Sequence, residues 1–146
     1  MKGPIARVLR SVFAVLAGIV AISMLVEAIE FGLVTLVNGA PTTDPETYYS
    51  IRNRPEFLGL KLVYNTGAAA AGGYLTALIA GYAGLRHGLA LATLQTLAFG
   101  YVLTQPDLAR WLSTSMWATL VGVSFIGIMA GARARVRSAA KGQQPQ

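Results

Sequence analysis

A chain of 146 residues is long enough for one domain, and with 54% hydrophobic and 12% charged residues it has too little charge to cover an ordinary soluble surface. The absence of cysteine excludes disulfides, thiolate metal centres and thiol nucleophiles. The net charge of +6 does not point to nucleic acid, because the basic residues collect at the two ends beside apolar stretches, a placement suited to a lipid surface.

Crossing the hydrocarbon core takes about 20 apolar residues in a helix. Residues 11–37 form the first candidate span. They follow a basic start, and Val26-Glu27-Ala28 looks like a secretory cleavage region. The apolar run continues to Val37, longer than the usual signal core, so a retained helix is expected. Its outer part, "MLVEAIEFGLV", holds two acids, Glu27 and Glu30, three residues apart and so on one face. Ser23 and Asn38 share that face. A charged group at mid-membrane costs about 2.5–3.5 kcal/mol, whereas a leucine returns only about 0.3–0.6. These acids therefore need partners.

Residues 38–57, "NGAPTTDPETYYSIRNRPEF", form a polar loop with three prolines. Asp44-Pro45-Glu46 reads as an N-cap, a first-turn proline and an acid beside the helix dipole. The pattern predicts a short surface helix from Pro45 to about Asn53, with Tyr48 and Tyr49 at headgroup level.

The second span covers residues 60–85. Running back antiparallel to the first, it brings Lys61 to the depth of Glu30, and Tyr64 or Asn65 to that of Glu27. Ala69, Gly73, Ala77 and Gly81 recur every four residues and predict close helix approach. Arg86-His87 reads as a tight turn into a third span, residues 88–104, where Gln95 is placed to join the polar cluster. "TQPDLAR" turns the chain into the fourth span, residues 111–132, with Trp111 and Trp117 near its start. Gly127 and Gly131 make a Gly-x-x-x-Gly there, read either as packing inside one bundle or as a homodimer face. Residues 133–146 read as a basic, then disordered tail, with Arg133, Arg135 and Arg137 on anionic lipid headgroups.

Four spans put both termini on one side. That side holds Lys2, Arg7, Arg10, Arg86, Arg133, Arg135, Arg137 and Lys141, eight cations against Arg52, Arg54, Lys61 and Arg110 on the other. The bias predicts cytoplasmic termini. The expected fold is thus all-α, an integral membrane four-helix bundle with a surface helix in its first outer loop.

Soluble-enzyme chemistry finds little support. His87 is the sole histidine, so no metal set is completed and a serine hydrolase triad has no other base. Haem ligation by His87 with Met129 has no motif behind it. "GLRHG" and "AAGGY" lack the spacing of a phosphate loop. No catalytic, metal or cofactor site is expected.

In "GGYLTALIAG" (residues 72–81) and "RVLRSVFAVLAGIV" (residues 7–20) the chain resembles a diffuse group of small bacterial inner-membrane proteins with four predicted spans and no assigned activity. The resemblance implies a bacterial inner membrane. The acid of helix 1 also resembles that of small multidrug transporters, from which the chain departs in its 20-residue polar first loop. Function is expected to be non-enzymatic: a bundle that supports, assembles or modulates a membrane partner in the bilayer. The alternative is a small proton- or cation-coupled transporter centred on Glu27.

Overall fold

A computed structural model describes residues 3–141. Among the described residues six helices follow one another: α1 (Pro4–Asn38), α2 (Pro45–Arg52), α3 (Pro55–Ala80), α4 (Gly84–Leu103), α5 (Pro106–Ala109) and α6 (Thr114–Lys141). Among the described residues there is no strand. Two helices, α1 and α6, are long and apolar enough to cross a membrane. Glycine and polar side chains such as Asn65, Thr76, Thr93 and Gln95 dilute α3 and α4.

Prolines set the helix starts. Pro4, Pro45, Pro55 and Pro106 each stand in a first turn, where no backbone N–H is needed. Asp44 caps α2, its Oδ2 accepting from the Thr47 amide at 2.8 Å. Hydrogen bonding to Thr47, through its side chain first and its amide second, holds the Asp44 carboxyl below the usual carboxylate range.

Most boundaries differ from the expected ones: α1 starts at Pro4 and not at 11, α3 at Pro55 and not at 60, and α6 at Thr114 and not at 111, which leaves Trp111 in the turn before it. Helix α3 ends at Ala80, and the turn runs through Gly81, Tyr82 and Ala83, so Arg86 and His87 belong to the first turn of α4. Gly81 is therefore not part of a packing stripe. It is the C-cap of α3 with φ at 69°, a conformation glycine adopts without strain. His87 is buried. Its Nδ1–H donates to the Ala83 carbonyl, an obligate acceptor, and its Nε2 meets Ser11 Oγ at 3.0 Å. Finally, α6 does not stop at Ala132. From there to Lys141 the chain has neither glycine nor proline, and its Ala and Arg residues are good helix formers. Arg133, Arg135 and Arg137 thus project from a helix, and the remainder of the expected tail, residues 142–146, lies outside the described residues.

Helix α3 is central. It packs along α6, α1 and α4. Its seam with α1 is antiparallel: Arg10 Nε donates to the Ile79 carbonyl at 2.6 Å, and Gly18 faces Gly72 and Thr76. The seam with α6 is parallel and nearly free of side chains. A Cβ on Gly127 would lie 2.7 Å from the Thr66 carbonyl oxygen. On Gly131 it would strike the Ala70 carbonyl, and on Gly73 the Ile128 carbonyl. The Gly-x-x-x-Gly of α6 is thus occupied by α3, with buried Ala69 and Ala77 continuing the contact surface on α3.

Gly131→Ala should push α3 and α6 apart and destabilise the fold by about 1–3 kcal/mol. Gly122→Ala, into open space on the same helix, should be neutral or stabilising by up to about 1 kcal/mol. Thermal melts in detergent that rank the two alike would remove the seam from the account.

Candidate functional site

The loop end of the molecule gathers its acids with four cations. Glu30, at the foot of the last turns of α1, has none of its surface exposed. Three side chains from two other elements close on it. The Tyr64 hydroxyl of α3 donates to its Oε1, Lys61 Nζ of α3 lies 3.1 Å from the same oxygen, and Arg52 Nη2 of α2 lies 2.8 Å from Oε2. Lys61 itself is only 4% exposed and also donates to Asn53 Oδ1 at 2.8 Å. Spacing explains the arrangement: Lys61 and Tyr64 are three apart on α3 and face α1 together.

Glu27 is not paired with Tyr64 or Asn65. Its Oε2 accepts from the Tyr48 hydroxyl at 3.2 Å, and Arg52 Nη1 stands 3.7 Å from its Oε1. Asn65 turns back along its own helix and donates to the Lys61 carbonyl at 2.8 Å. The side chain of Glu27 remains 60% exposed. The reason is register: α2 folds back over the end of α1 and reaches Glu27 before any residue of α3 does. Burial, with the nearby Glu27 carboxylate adding to it, raises the Tyr48 phenol to about 12.

Arg52 is the hinge of the cluster, serving both acids and lying over the rings of Tyr48 and Tyr49, 5.5 and 5.1 Å from their centroids. Tyr49 stacks on Trp111 at 5.8 Å, and the Arg110 guanidinium lies 4.8 Å from the centroid of that indole while pairing with Glu46 at 2.9 Å. The α2 helix is thereby fastened both to α1 and to the α5 turn. Trp117 packs on Phe99 instead, with its Nε1 donating to the Ala109 carbonyl.

Beneath α2 lies a cleft of about 250 Å³. Glu27, Arg52, Lys61, Asn65 and Gln95 give it a polar wall, and Phe99, Trp111 and Trp117 an aromatic one. Gln95 shares the cleft but, among the described residues, bonds to neither acid. Ser23 stands at its lip, whereas Asn38 is used in the turn, donating to the Ala40 carbonyl.

Chemically, the four core groups balance: Glu27 and Glu30 against Arg52 and Lys61. No group of three or more His, Asp or Glu side chains among the described residues is placed to hold a metal. Sequence reasoning did not reach Arg52, Asn53 or Tyr48 as members. The available signal was the face of α2 that carries Tyr48, buried Ile51 and Arg52 at helical spacing.

Glu30→Gln should cost more than Lys61→Met. The first leaves buried Lys61 without its anion and half-buried Arg52 with Glu27 alone, a loss of about 3–5 kcal/mol, while after the second Arg52 still neutralises Glu30. The double variant Glu30→Gln, Lys61→Met should recover part of the Glu30→Gln loss. Chemical denaturation in detergent checks the order. The sign of the Tyr48 effect is also fixed. Folded Tyr48 keeps its proton to about 12, whereas an unfolded phenol ionises near 10, so its contribution is complete below pH 10 and lost as pH rises through 12. Ultraviolet titration should show a phenolate forming near pH 12 that Tyr48→Phe removes.

No family model, curated protein or solved structure matches this chain.

Proposed function

We propose that the chain is a four-span integral protein of a bacterial inner membrane, with both termini cytoplasmic, acting as a non-enzymatic structural, assembly or modulatory partner of another membrane protein. One observation carries this reading: polar groups turn inward and apolar ones outward. Phe13, Leu16, Val20 and Met24 of α1, Leu94 and Leu97 of α4 and Ile126 of α6 are large apolar side chains left exposed, while Glu30, Lys61 and Asn65 are buried. So broad an apolar surface on one molecule fits lipid or a protein partner and not water. The basic residues at one end and the mixed charges at the other support the stated orientation. The cluster around Glu30 then serves to lock α1, α2 and α3 together near the outer surface.

A second reading has its own observation. Glu27 is the half-free carboxylate of the cluster and opens onto the cleft, which suits proton or cation binding in a small transporter.

In alkaline carbonate extraction the protein should stay with the membrane pellet, and reporters fused at either end should read cytoplasmic. Release into the supernatant would remove the membrane reading. In proteoliposomes, Glu27→Gln should leave proton flux unchanged. Flux by the parent chain that this variant abolishes would establish the transporter instead.

A further inference from the structure

The end opposite the acid cluster has a charge problem of its own. All six acids lie between Glu27 and Asp107 in the sequence, and they belong to the loop end of the fold. Arg7, Arg10, Arg86, Arg133, Arg135, Arg137 and Lys141 gather at the other end. Every ion pair among the described residues uses Arg52, Arg54, Lys61 or Arg110 and none of these. Some are satisfied in other ways. Arg10 donates to the Ile79 carbonyl, for instance.

Arg135 is different. It is half-buried on α6, and its Nε is shielded from solvent with no hydrogen-bond partner among the described residues. It borders a cavity of about 380 Å³ where the α3–α4 turn meets α6. Arg86, from the first turn of α4, borders the same cavity. Apart from these two guanidinium groups and the Tyr82 ring, the lining is apolar or backbone, with Leu85 and Val136 its largest aliphatic members. The site is held in shape from below. Gly84 sits so close that a Cβ there would lie 3.0 Å from both Ala77 and Val136. Two planar cations at the rim of an aliphatic trough match one chemistry: a phosphate that accepts paired N–H donors, attached to a hydrocarbon chain.

We propose that this cavity is a discrete site for one anionic phospholipid, its phosphate held between Arg86 and Arg135 and its acyl chain lying along Leu85 and Val136. The proposal rests on the membrane reading given above and goes beyond it. Basic residues at a membrane surface attract anionic lipid diffusely, without regard to which arginine is which. Here Arg135 is set apart from its neighbours Arg133 and Arg137, which are exposed on the same helix and do not border the cavity.

The test uses the full chain in nanodiscs of phosphatidylcholine with or without phosphatidylglycerol, followed by transfer to detergent and native mass spectrometry. One phosphatidylglycerol per chain should be retained. Arg86→Gln and Arg135→Gln should each weaken retention about fivefold. Arg137→Gln should change it less than twofold. Circular dichroism confirms that each variant folds, and Arg135→Lys, which keeps charge without the fork, should fall between Gln and the parent. Equal losses at Arg135 and Arg137, or retention of phosphatidylcholine as strong as that of phosphatidylglycerol, would overturn the site. Inorganic phosphate should not displace the lipid, and displacement would reassign the cavity to soluble phosphate and overturn the lipid source. Failure of the membrane reading looks different, because it appears as release by carbonate before any lipid is counted.

Discussion

A carboxylate in an apolar helix can keep its charge only where cations touch it, and Glu30 shows how far that requirement shapes the molecule. It draws Arg52 from α2 and Lys61 from α3, so one side chain of α1 positions two other elements. Since α2 is only eight residues long, it has little stability of its own. Its place over the cleft comes from Asp44 at its start and Arg52 at its end. Through Tyr49 and Trp111 the same helix reaches the α5 turn, so the cluster also ties the connection after α1 to the connection after α4.

Away from that cluster the helices meet by another means. Along the α3–α6 seam close backbone contact takes the place of large aliphatic side chains. Gly73, Gly127 and Gly131 let α3 and α6 approach until carbonyls stand where side chains would. Dispersion gains of this kind are individually small and add up over the length of a helix. The two devices divide the molecule: ionic contacts at the loop end, side-chain-free contacts through the middle.

Much of this was legible in the sequence. Asp44-Pro45-Glu46 announced α2 because capping is local chemistry, and its observed span, Pro45–Arg52, differs from the expected one by a residue. The all-helical class followed from long apolar runs without alternation. Depth matching placed Lys61 beside Glu30 because antiparallel helices share a ruler. What could not be read was rotation. Whether Tyr64 faces Glu30 or Glu27 depends on a fraction of a turn, and Asn65 had a carbonyl of its own helix within reach. Arg52 escaped notice because nothing local says how a surface helix folds back over its neighbours. The turn after α3 was misplaced for a simpler reason: charged Arg86-His87 looked like a loop, while Gly81 five residues earlier was the true stop.

The parallel seam between α3 and α6 bears on how the chain is made. Its two sides are separated by the whole of α4 and α5, so during synthesis α3 emerges well before the surface it fits. Until α6 follows, the groove at Ala70 and Gly73 has no tenant from its own chain. The ribosome therefore delivers the central helix first and its keystone last, and a nascent chain waiting in that interval is the form most exposed to a wrong neighbour or to quality-control proteases.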